Sequence, residues 1–580
     1  MKKWRRVMAL VLGTIMIIGC LGACGGSGNG GSKDTKAPAA DTGSAAAGDK
    51  SSGGDGQAAA GEESGGGDGQ AAAGPQALTL PLCEEKQELT VWMVYNGTEV
   101  SDVNEIKGVQ KMEEMTNVHI NWITMNLQEV SEKMGLLLTS GDYPDIIYPA
   151  SYPYPGGTEK GIEDGVLLDM DEYIRNYMPN YMSLLSQNED ARKQATSDDG
   201  KLHSLKVIVG SDLTVEGEGN YQALAYRKDL LDAMGLEVPT TIEGWHDVLV
   251  KCKESGMETP LSITKTGGTE LSWAWGVQSQ GMGNYLQVDG SKVVFGPALD
   301  GFGEYLDTMR DWYAEGLIDP NFTSGAMIEK WQFDTIENND TMLMSSLSGF
   351  CAQNAFRQGF IANDQTYLQP ILSPVLNEGD TPIKWERNIV AKDNIYISTS
   401  CKDPVLAAKW LDFQYSQEGQ YLNWYGVEGE TYELGGDDNT PQYTDLVLKN
   451  PDGLTPGSVL QRYALNNQTW LGKHNYSAGM KLTTALSGDG SNAQQDAVEL
   501  WSAPEKNIAL TEGIMLTDEE GKKANSTLTA IVTLVQEHMV NYILGKDTTS
   551  QEDFVKTLYD YGLQDVLDIY QVAYERYLAR

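Results

Sequence analysis

The chain has 580 residues, with 82 Asp and Glu against 42 Lys and Arg, a formal net charge of −40, and 41% hydrophobic residues. This length allows roughly two to four globular units of about 150 residues, and the apolar content is enough for large cores. So acidic a chain repels nucleic acid backbones and anionic lipid surfaces, so a basic nucleic-acid-binding face is excluded.

The first 24 residues have the pattern of an export signal that ends in a lipid attachment site. Four basic residues lie within Met1–Arg6, and Val7–Gly19 is uncharged, mostly apolar and too short to span a membrane. The next segment, Leu21-Gly22-Ala23-Cys24-Gly25, resembles a bacterial lipobox, whose cysteine is acylated. We therefore predict a signal peptide over residues 1–23 and acyl chains, palmitate among them, on Cys24 that hold the protein at the extracellular face of the membrane. An ordinary secretory signal is the alternative.

Residues 24–88 are predicted to be a lipidated N-terminus followed by a disordered tether. The segment is rich in Gly, Ala, Ser and Asp, and residues 53–61 recur unchanged as residues 66–74. It has no apolar face to bury, and about 60 such residues reach about 40 Å on average. A long Gly/Ala tether after a lipobox resembles Gram-positive surface proteins. The pairing of the remaining cysteines stays open, because no spacing favours one disulfide over another; they are Cys83, Cys252, Cys351 and Cys401.

A β-α-β unit is predicted where the folded part begins. Residues 89–95 have strand composition and end at the turn signal Asn96-Gly97. Apolar residues then recur every third position over 106–115, as in a helix, and alternate over 118–122, as in a strand. Such a unit joins parallel strands of an open α/β sheet, and ligands bind beyond the carboxyl ends of these strands. Asn96 is therefore a candidate ligand-binding residue, with a plain turn role as the alternative.

Several later blocks resemble successive segments of one protein family. They are Gly141–Ile147, Gly165–Met170, Asp199–His203, Leu224–Leu236, Pro239–Trp245, Phe302–Asp319, Ile397–Phe413 and Tyr425–Tyr432. In this order they are similar to bacterial extracellular solute-binding proteins of ABC importers, in the LipO-like lipoprotein branch that transports carbohydrate. No single block is diagnostic, but their order together with the lipobox is specific.

The resemblance implies an α/β fold of the type II periplasmic-binding class, with two lobes, a hinge and an interlobe ligand cleft. It implies that residues 89–222 and 351–400 form lobe 1, and that residues 226–345 and 401–580 form lobe 2. The chain is expected to cross between the lobes near residues 221–226, 344–350 and 398–401. The implied function is to capture an extracellular solute, most of all an oligosaccharide, and to deliver it to ABC permease subunits. A monomer without enzymatic activity is expected.

The aromatic composition suits a carbohydrate site. Trp and Tyr number 13 and 28 against 9 Phe, and rings with a polar edge stack on the apolar faces of sugars. The candidate ligand-binding tryptophans are those that lie in polar, turn-rich surroundings. The exposed Tyr/Pro/Gly loop 149–157 adds two further candidate residues, Ser151 and Tyr152. The predicted ligand-binding residues are Asn96, Ser151, Tyr152, Trp273, Trp275, Trp331, Trp385, Trp424 and Trp470. A core role is the alternative for each tryptophan. Trp312, Trp410 and an apolar stripe over residues 563–577 are assigned to the core.

A secreted glycosidase acting on polysaccharide is the alternative from another class. Its two carboxylates would have to lie about 5–5.5 Å or 6.5–9.5 Å apart, which a sequence cannot show. The chain has no Gly-x-Ser-x-Gly elbow, P-loop or His-Glu-x-x-His motif. A peptide or another small solute in the same fold is a further alternative. The acidic loops 435–439 and 488–492 lack the full EF-hand spacing, so neither a metal nor a cofactor is predicted.

Overall fold

The computed structural model describes residues 77–580, except for a number of internal positions. The exceptions are residues 151, 213, 218, 220–221, 264–268, 280–284, 324–340, 349–367, 387, 437–438, 466–468, 470 and 488–491. The predicted signal peptide, Cys24 and most of the tether lie outside the described residues, as does Cys351. Within them, no helix is both long and apolar enough to cross a membrane.

Strands and helices alternate through much of the chain. The described strands are β1 (Gln87–Val94), β2 (Val118–Met125), β3 (Ile146–Tyr148), β4 (Leu205–Gly210), β5 (Gln222–Arg227), β6 (Leu261–Ser262), β7 (Leu286–Asp289), β8 (Lys292–Phe295), β9 (Leu343–Ser348), β10 (Leu368–Ile371), β11 (Ile383–Lys384), β12 (Ala391–Ile397), β13 (Tyr432–Gly435), β14 (Thr440–Tyr443), β15 (Lys473–Asn475) and β16 (Lys506–Asn507). The described α-helices are α1 (Lys107–Thr116), α2 (Val130–Ser140), α3 (Thr158–Glu163), α4 (Asp171–Tyr177), α5 (Pro179–Gln187), α6 (Glu189–Ala195), α7 (Lys228–Ala233), α8 (Ile242–Glu254), α9 (Thr269–Ser272), α10 (Asp300–Ala314), α11 (Pro404–Phe413), α12 (Gln417–Trp424), α13 (Asp445–Leu448), α14 (Pro456–Tyr463), α15 (Tyr476–Ser487), α16 (Ala493–Ser502), α17 (Asp518–Ile543), α18 (Gln551–Asp560) and α19 (Leu563–Ala579).

Sheet 1 has six strands in the order β15-β4-β12-β3-β1-β2. Strand β1 pairs in parallel with β2 and β3, and β15 pairs in parallel with β4. Strand β12 is antiparallel to both of its neighbours, β3 and β4. Five strands therefore run in one direction and β12 in the other. The predicted β-α-β unit is confirmed, since α1 connects β1 to its parallel neighbour β2.

Sheet 2 has four strands in the order β10-β5-β9-β6, in which β5 is antiparallel to its two neighbours and β9 is parallel to β6. Its core is formed with helices α8, α10, α17, α18 and α19. The core assignments of Trp312 and of the stripe on α19 are confirmed, because Trp312, Leu563 and Val566 are buried in this cluster. Sheets 1 and 2 are the centres of lobes 1 and 2.

The segment after β12 belongs with sheet 1. Trp410, Leu422 and Leu471 are buried in the same cluster as Val91 of β1, so the core assignment of Trp410 is confirmed. The family resemblance places residues 401–580 in lobe 2, but the apolar faces of α11 and α12 cover sheet 1, and the chain does not change lobes at residues 398–401. Conversely, β10 lies within the segment 351–400 that is expected in lobe 1, yet it pairs with β5 of sheet 2. The described contacts therefore redraw the expected lobe boundaries.

The end of the predicted tether packs on lobe 1. The backbone N–H of Leu82 donates to the carbonyl of Thr116 at 3.0 Å, and β1 begins at Gln87. The Asn117 side-chain amide donates to the Cys83 carbonyl at 3.1 Å. Residues 82–88 are thus part of the lobe rather than of the tether. Among the cysteines that the structure describes, Cys83, Cys252 and Cys401 form no disulfide with one another.

A buried carboxylate caps helix α5. Asp412 accepts hydrogen bonds from the backbone N–H groups of Asn180 at 3.3 Å and Tyr181 at 3.0 Å, and from the Asn180 side chain at 2.8 Å. Burial raises the pKa of Asp412 to about 6, even though these donors favour the charged form. The folded protein therefore holds a proton on Asp412 over a pH range in which the unfolded chain has lost it.

We expect the stability that Asp412 contributes to fall between about pH 4 and pH 6. Because the folded-state pKa lies above the unfolded value, the folded state binds more protons in this window, and raising the pH favours unfolding. The free energy of unfolding of the native protein should decline relative to that of Asp412→Asn by about 2–3 kcal/mol across the window. Urea unfolding of both proteins at several pH values measures this difference. Parallel stability curves for the two proteins would contradict the prediction.

Candidate ligand-binding cleft

The carboxyl ends of the parallel strands in sheet 1 lie along one edge, which we call carboxyl edge 1. Strands β1, β3, β4 and β15 end there, and β12 begins there because it runs in the opposite direction. Carboxyl edge 2 is the corresponding edge of sheet 2, where β6, β9 and β10 end and β5 begins. In open α/β sheets such edges are where ligands bind.

Three crossing segments join these two edges. The first, residues 211–221, runs from the end of β4 to the start of β5. The second, residues 372–390, runs from the end of β10 to the start of β12. The third, residues 476–492, leaves the end of β15 and leads to α16, whose Trp501 indole N–H donates to the carbonyl of Ile371 at the end of β10 at 3.1 Å. Every crossing runs from one carboxyl edge to the other, so the two edges border a common cleft.

A buried carboxylate connects the first and third crossings. Asp212, which is 7% exposed, is the second residue after the end of β4. Its Oδ1 accepts hydrogen bonds from the Tyr425 hydroxyl at 2.5 Å, the Asn475 amide at 2.7 Å and the Ser477 hydroxyl at 2.9 Å. Its Oδ2 accepts one from the Lys481 amine at 2.7 Å. We call these five residues the Asp212 network.

The charges of this network are set by burial and by its hydrogen bonds. Burial alone would raise the pKa of Asp212, but the hydrogen bonds from Lys481, Tyr425 and Asn475 outweigh it and hold the pKa below its ordinary value. The fully buried Lys473 amine donates to the carbonyls of Ser211 and Asp212, and burial lowers its pKa to about 8. The Asp212 carboxylate is therefore ionised, with the Lys481 amine bound to it and the Lys473 amine bound to the backbone carbonyl of the same residue.

Trp424 lies beside this network at the end of α12. Its indole N–H donates to the carbonyl of Lys473 at 2.8 Å, and its ring stacks on His474 with 5.5 Å between ring centroids. The Nδ1 atom of His474 is 3.2 Å from the amine of Lys392 on β12. Trp424 is half-buried, so part of its ring stays accessible. A flat aromatic surface thus adjoins charged groups near carboxyl edge 1.

The structure brings three of the predicted ligand-binding residues to the lobe 1 side of the cleft. These are Trp424 and two residues at the ends of strands. Asn96 follows β1, where its Oδ1 accepts a hydrogen bond from the Leu127 backbone N–H at 3.2 Å, which is a loop-stabilising contact. Tyr152 follows β3 and is 41% exposed.

The predicted residues of lobe 2 differ in their surroundings. Trp273 is 4% exposed, packs with Ile383 and Ile508, and donates its indole N–H to the Gln278 side-chain carbonyl at 3.0 Å. Trp275 is half-buried, with its ring centroid 5.8 Å from that of Tyr305. Trp385 is half-buried against the Trp273 cluster and belongs to the second crossing segment. The remaining predicted residues, Ser151, Trp331 and Trp470, lie outside the described residues.

Sequence reasoning missed the Asp212 network. The available signal was local: the apolar run of β4 ends in Gly210-Ser211-Asp212, which places a carboxylate two residues after a buried strand. Its partners at positions 425 to 481 could not be deduced, because nothing in the local spacing relates them to residue 212. Among the described residues, no group of three or more His, Cys, Asp or Glu side chains is placed to hold a metal ion.

The two α/β lobes, the paired carboxyl edges and the crossings define a protein of the type II periplasmic-binding class. The sequence profile of one family, described as bacterial extracellular solute-binding protein, matches residues 98–421, which is more than half of the chain. The chain belongs to this family. Membership indicates an extracellular or membrane-associated location.

Individual relatives are similar over most of their length. The substrate-binding protein FusA of a fructooligosaccharide ABC transporter from Streptococcus pneumoniae serotype 4 is 24% identical over 535 residues, which cover 87% of this chain and 93% of FusA. The structure of S. pneumoniae FusA in complex with kestose is 20% identical, with a TM-score of 0.61, and covers 85% of this chain and 99% of that one. An HMO-binding, ABC-transporter-associated solute-binding protein from Bifidobacterium longum infantis is 16% identical, with a TM-score of 0.66 and coverage of 85% and 99%. The structural likenesses establish the fold.

Proposed function

We propose that this chain is the substrate-binding lipoprotein of an ABC importer. It captures an extracellular oligosaccharide between its lobes and delivers it, chemically unchanged, to permease subunits in the membrane. The observation that carries this proposal is the pair of carboxyl edges joined by three crossings, with the Asp212 network and Trp424 beside them, in a member of the solute-binding family. The ligand class is supported by the relatives, whose names specify a fructooligosaccharide transporter and HMO binding.

The proposed ligand contacts come from both lobes. On the lobe 1 side, Trp424 and Tyr152 offer partly exposed rings that can stack on sugar faces. On the lobe 2 side, Trp385 packs against the Trp273 cluster and offers a third ring. Lys481 of the Asp212 network adds a partly exposed amine for hydroxyl groups beside carboxyl edge 1. Closure requires ligand contacts to both lobes, because a ligand that binds the open and closed forms equally does not shift the equilibrium between them. Trp273, in the cluster that Trp385 packs against, and Trp275, which packs against the lobe 2 core, remain predicted ligand contacts.

We also propose that acyl chains on Cys24 anchor the protein, as a monomer, at the extracellular face of the cell membrane. The support is the lipobox pattern over residues 21–25 and the Gly/Ala-rich tether that follows it. The tether ends where residues 82–88 pack on lobe 1, close to the start of β1. Strand β1 begins at the edge of sheet 1 opposite carboxyl edge 1.

The proposal is tested by ligand binding to the unlipidated chain that begins at Gly25. Thermal melting and calorimetry are run against fructooligosaccharides, milk oligosaccharides, alginate oligomers and short peptides, and the sugars are recovered and analysed by chromatography. A ligand at about 100 times its dissociation constant should add about 2.7 kcal/mol to the free energy of unfolding. Stabilisation by one glycan class, recovered intact, is the expected result. Cleavage of the glycan would favour the glycosidase, and binding of peptides alone would contradict the carbohydrate assignment.

We expect Trp424→Ala to weaken oligosaccharide binding by about 1–3 kcal/mol, or roughly 5- to 150-fold. The substitution removes a stacking surface, and because the ring is only half-buried the fold should tolerate its loss. Calorimetric titration with the glycan that stabilises the native protein measures the effect. Trp424→Phe is the control, since it keeps a ring but loses the hydrogen bond to the Lys473 carbonyl, and it should retain most of the affinity. Equal losses in both variants would assign the effect to that hydrogen bond instead.

A further inference from the structure

Helix α19 begins in lobe 2 and ends against lobe 1. Near its start, Leu563 and Val566 are buried in the lobe 2 core. Near its end, Tyr577 is 5% exposed and its hydroxyl is 3.5 Å from the carboxylate of Asp190 on α6. Helix α6 belongs to the lobe 1 core, where Ala191 is buried. A single rigid helix therefore contacts both lobes.

One lobe 1 carboxylate binds two arginines of this helix. Asp198 lies between α6 and β4, and its Oδ2 accepts a hydrogen bond from Nε of Arg576 at 2.6 Å. Its Oδ1 accepts hydrogen bonds from Nε of Arg580 at 2.9 Å and from Nη2 at 2.6 Å. The Arg580 side chain is only 2% exposed, while those of Asp198 and Arg576 are 26% exposed. We call these three residues the interlobe bridge.

The bridge is fixed firmly on the lobe 2 side. Arg576 donates through Nη1 and Nη2 to the two carboxylate oxygens of Glu520, both at 2.7 Å, and Nη2 also donates to the Met515 carbonyl at 3.0 Å. Glu520 belongs to the capping box at the start of α17, which packs in lobe 2. The hydrogen bonds from Arg576 lower the pKa of Glu520 to about 2. The guanidinium of Arg576 thus lies between carboxylates of different lobes.

The bridge lies on the hinge side of the molecule. The crossings leave sheet 1 from β15, β4 and β12, which are neighbours at one end of the sheet, and α6 packs against β4 and β12. On α6, the Gln194 side chain accepts hydrogen bonds from the backbone N–H groups of Val390 and Ala391, both at 3.0 Å, at the end of the second crossing. Asp198 itself precedes the start of β4, at the edge of sheet 1 away from the cleft. The contacts therefore lie behind the crossings, outside the cleft.

We propose that the interlobe bridge holds the lobes apart at the cleft and thereby sets the ligand affinity. When two bodies close about a hinge, contacts behind the hinge are pulled apart, so contacts behind it favour the open form. A protein whose closed form is less populated binds its ligand more weakly in proportion. Breaking the bridge therefore favours closure and strengthens binding. The affinity part of this inference rests on the proposed function, whereas the lobe movement does not.

The test is the distance between the lobes without any ligand. Donor and acceptor dyes are attached through unnatural amino acids at Leu136 on lobe 1 and Val238 on lobe 2, which are 60% and 41% exposed. Asp198→Asn should shift the distance distribution of the full chain toward that of the closed form. For an oligosaccharide that binds, the dissociation constant should fall about fivefold, which corresponds to about 1 kcal/mol.

Two controls separate the bridge from general loss of stability. Asp171→Asn breaks the ion pair with Arg175, which lies within lobe 1, and Glu520→Gln weakens a contact of Arg576 within lobe 2 while leaving the interlobe bridge itself in place. Both should lower the melting temperature without moving the lobes. A second test measures the lobe distance of the native protein between 0.05 and 1 M NaCl. Because salt screens a partly exposed ion pair, the distance should shift toward that of the closed form as the salt concentration rises. If Asp198→Asn changes only the melting temperature, and salt leaves the lobe distance unchanged, the proposal is overturned, whatever ligand the protein binds.

Discussion

Replacing Asp212 with alanine is expected to lower the free energy of unfolding by about 3–5 kcal/mol. The carboxylate is 7% exposed and has four side-chain donors, so its removal leaves Tyr425, Asn475 and Ser477 without this acceptor. It also removes the carboxylate that binds the Lys481 amine, and one of the two carboxylates that favour the charged form of Lys473. Urea unfolding near neutral pH measures the loss.

A surface pair of the same chemistry provides the control for Asp212. Asp232 binds Lys228 one helical turn away at 2.7 Å, but their side chains are 59% and 48% exposed. Asp232→Ala should therefore cost less than about 1 kcal/mol. Losses of similar size at the two positions would show that burial and the number of donors at Asp212 do not matter, which would contradict our account of the network.

The acid stability of the protein should also change in Asp212→Ala. Because the folded-state pKa of Asp212 lies below its ordinary value, its stabilising effect is present above the unfolded pKa of about 3.9 and is lost as the pH falls through the folded-state value. The native protein should consequently lose stability on acidification over this range more steeply than the variant does. Thermal melting of both proteins between pH 7 and pH 3 compares the two slopes.

The parts of the fold that could be predicted from the sequence are those encoded by local periodicity. The alternation over 118–122 and the three-residue spacing over 106–115 each concern neighbouring side chains, and both elements formed as expected. The stripe on α19 was likewise sufficient to predict a core face, because a 3.6-residue period is a property of one helix. The family blocks added the order of the elements.

Lobe membership could not be predicted in this way. An apolar helix face such as that of α11 shows that the helix is buried, but not which sheet it covers. In the structure, Trp410 of α11 and Leu422 of α12 pack in the core of sheet 1. The Asp212 network has the same difficulty, since its donors at Asn475 and Lys481 are more than 260 positions away in the sequence. Composition also does not distinguish a tryptophan that can stack on a ligand from one that lies in the core. Trp273 is buried, whereas Trp424 is half-buried and its indole N–H donates to a backbone carbonyl.

Trp273→Ala is expected to lower the free energy of unfolding by about 3–5 kcal/mol. The side chain is 4% exposed, packs with Ile383 and Ile508, and its indole N–H binds Gln278 at 3.0 Å, so its removal leaves both a cavity and an unpaired buried carbonyl. Urea unfolding without ligand measures this effect directly.

The neighbouring Trp385 makes the comparison decisive for the role of Trp273. Trp385 is half-buried in the same cluster but belongs to the second crossing segment. Trp385→Ala should therefore lower the free energy of unfolding less than Trp273→Ala does, and should weaken ligand binding more. The sequence predicts Trp273 as a stacking residue, and that role requires a loss of affinity with little loss of stability. Trp273→Ala could instead unfold at the same midpoint urea concentration as the native protein and bind the oligosaccharide at least tenfold more weakly. In that case the stacking role is correct and the core role of this side chain is wrong.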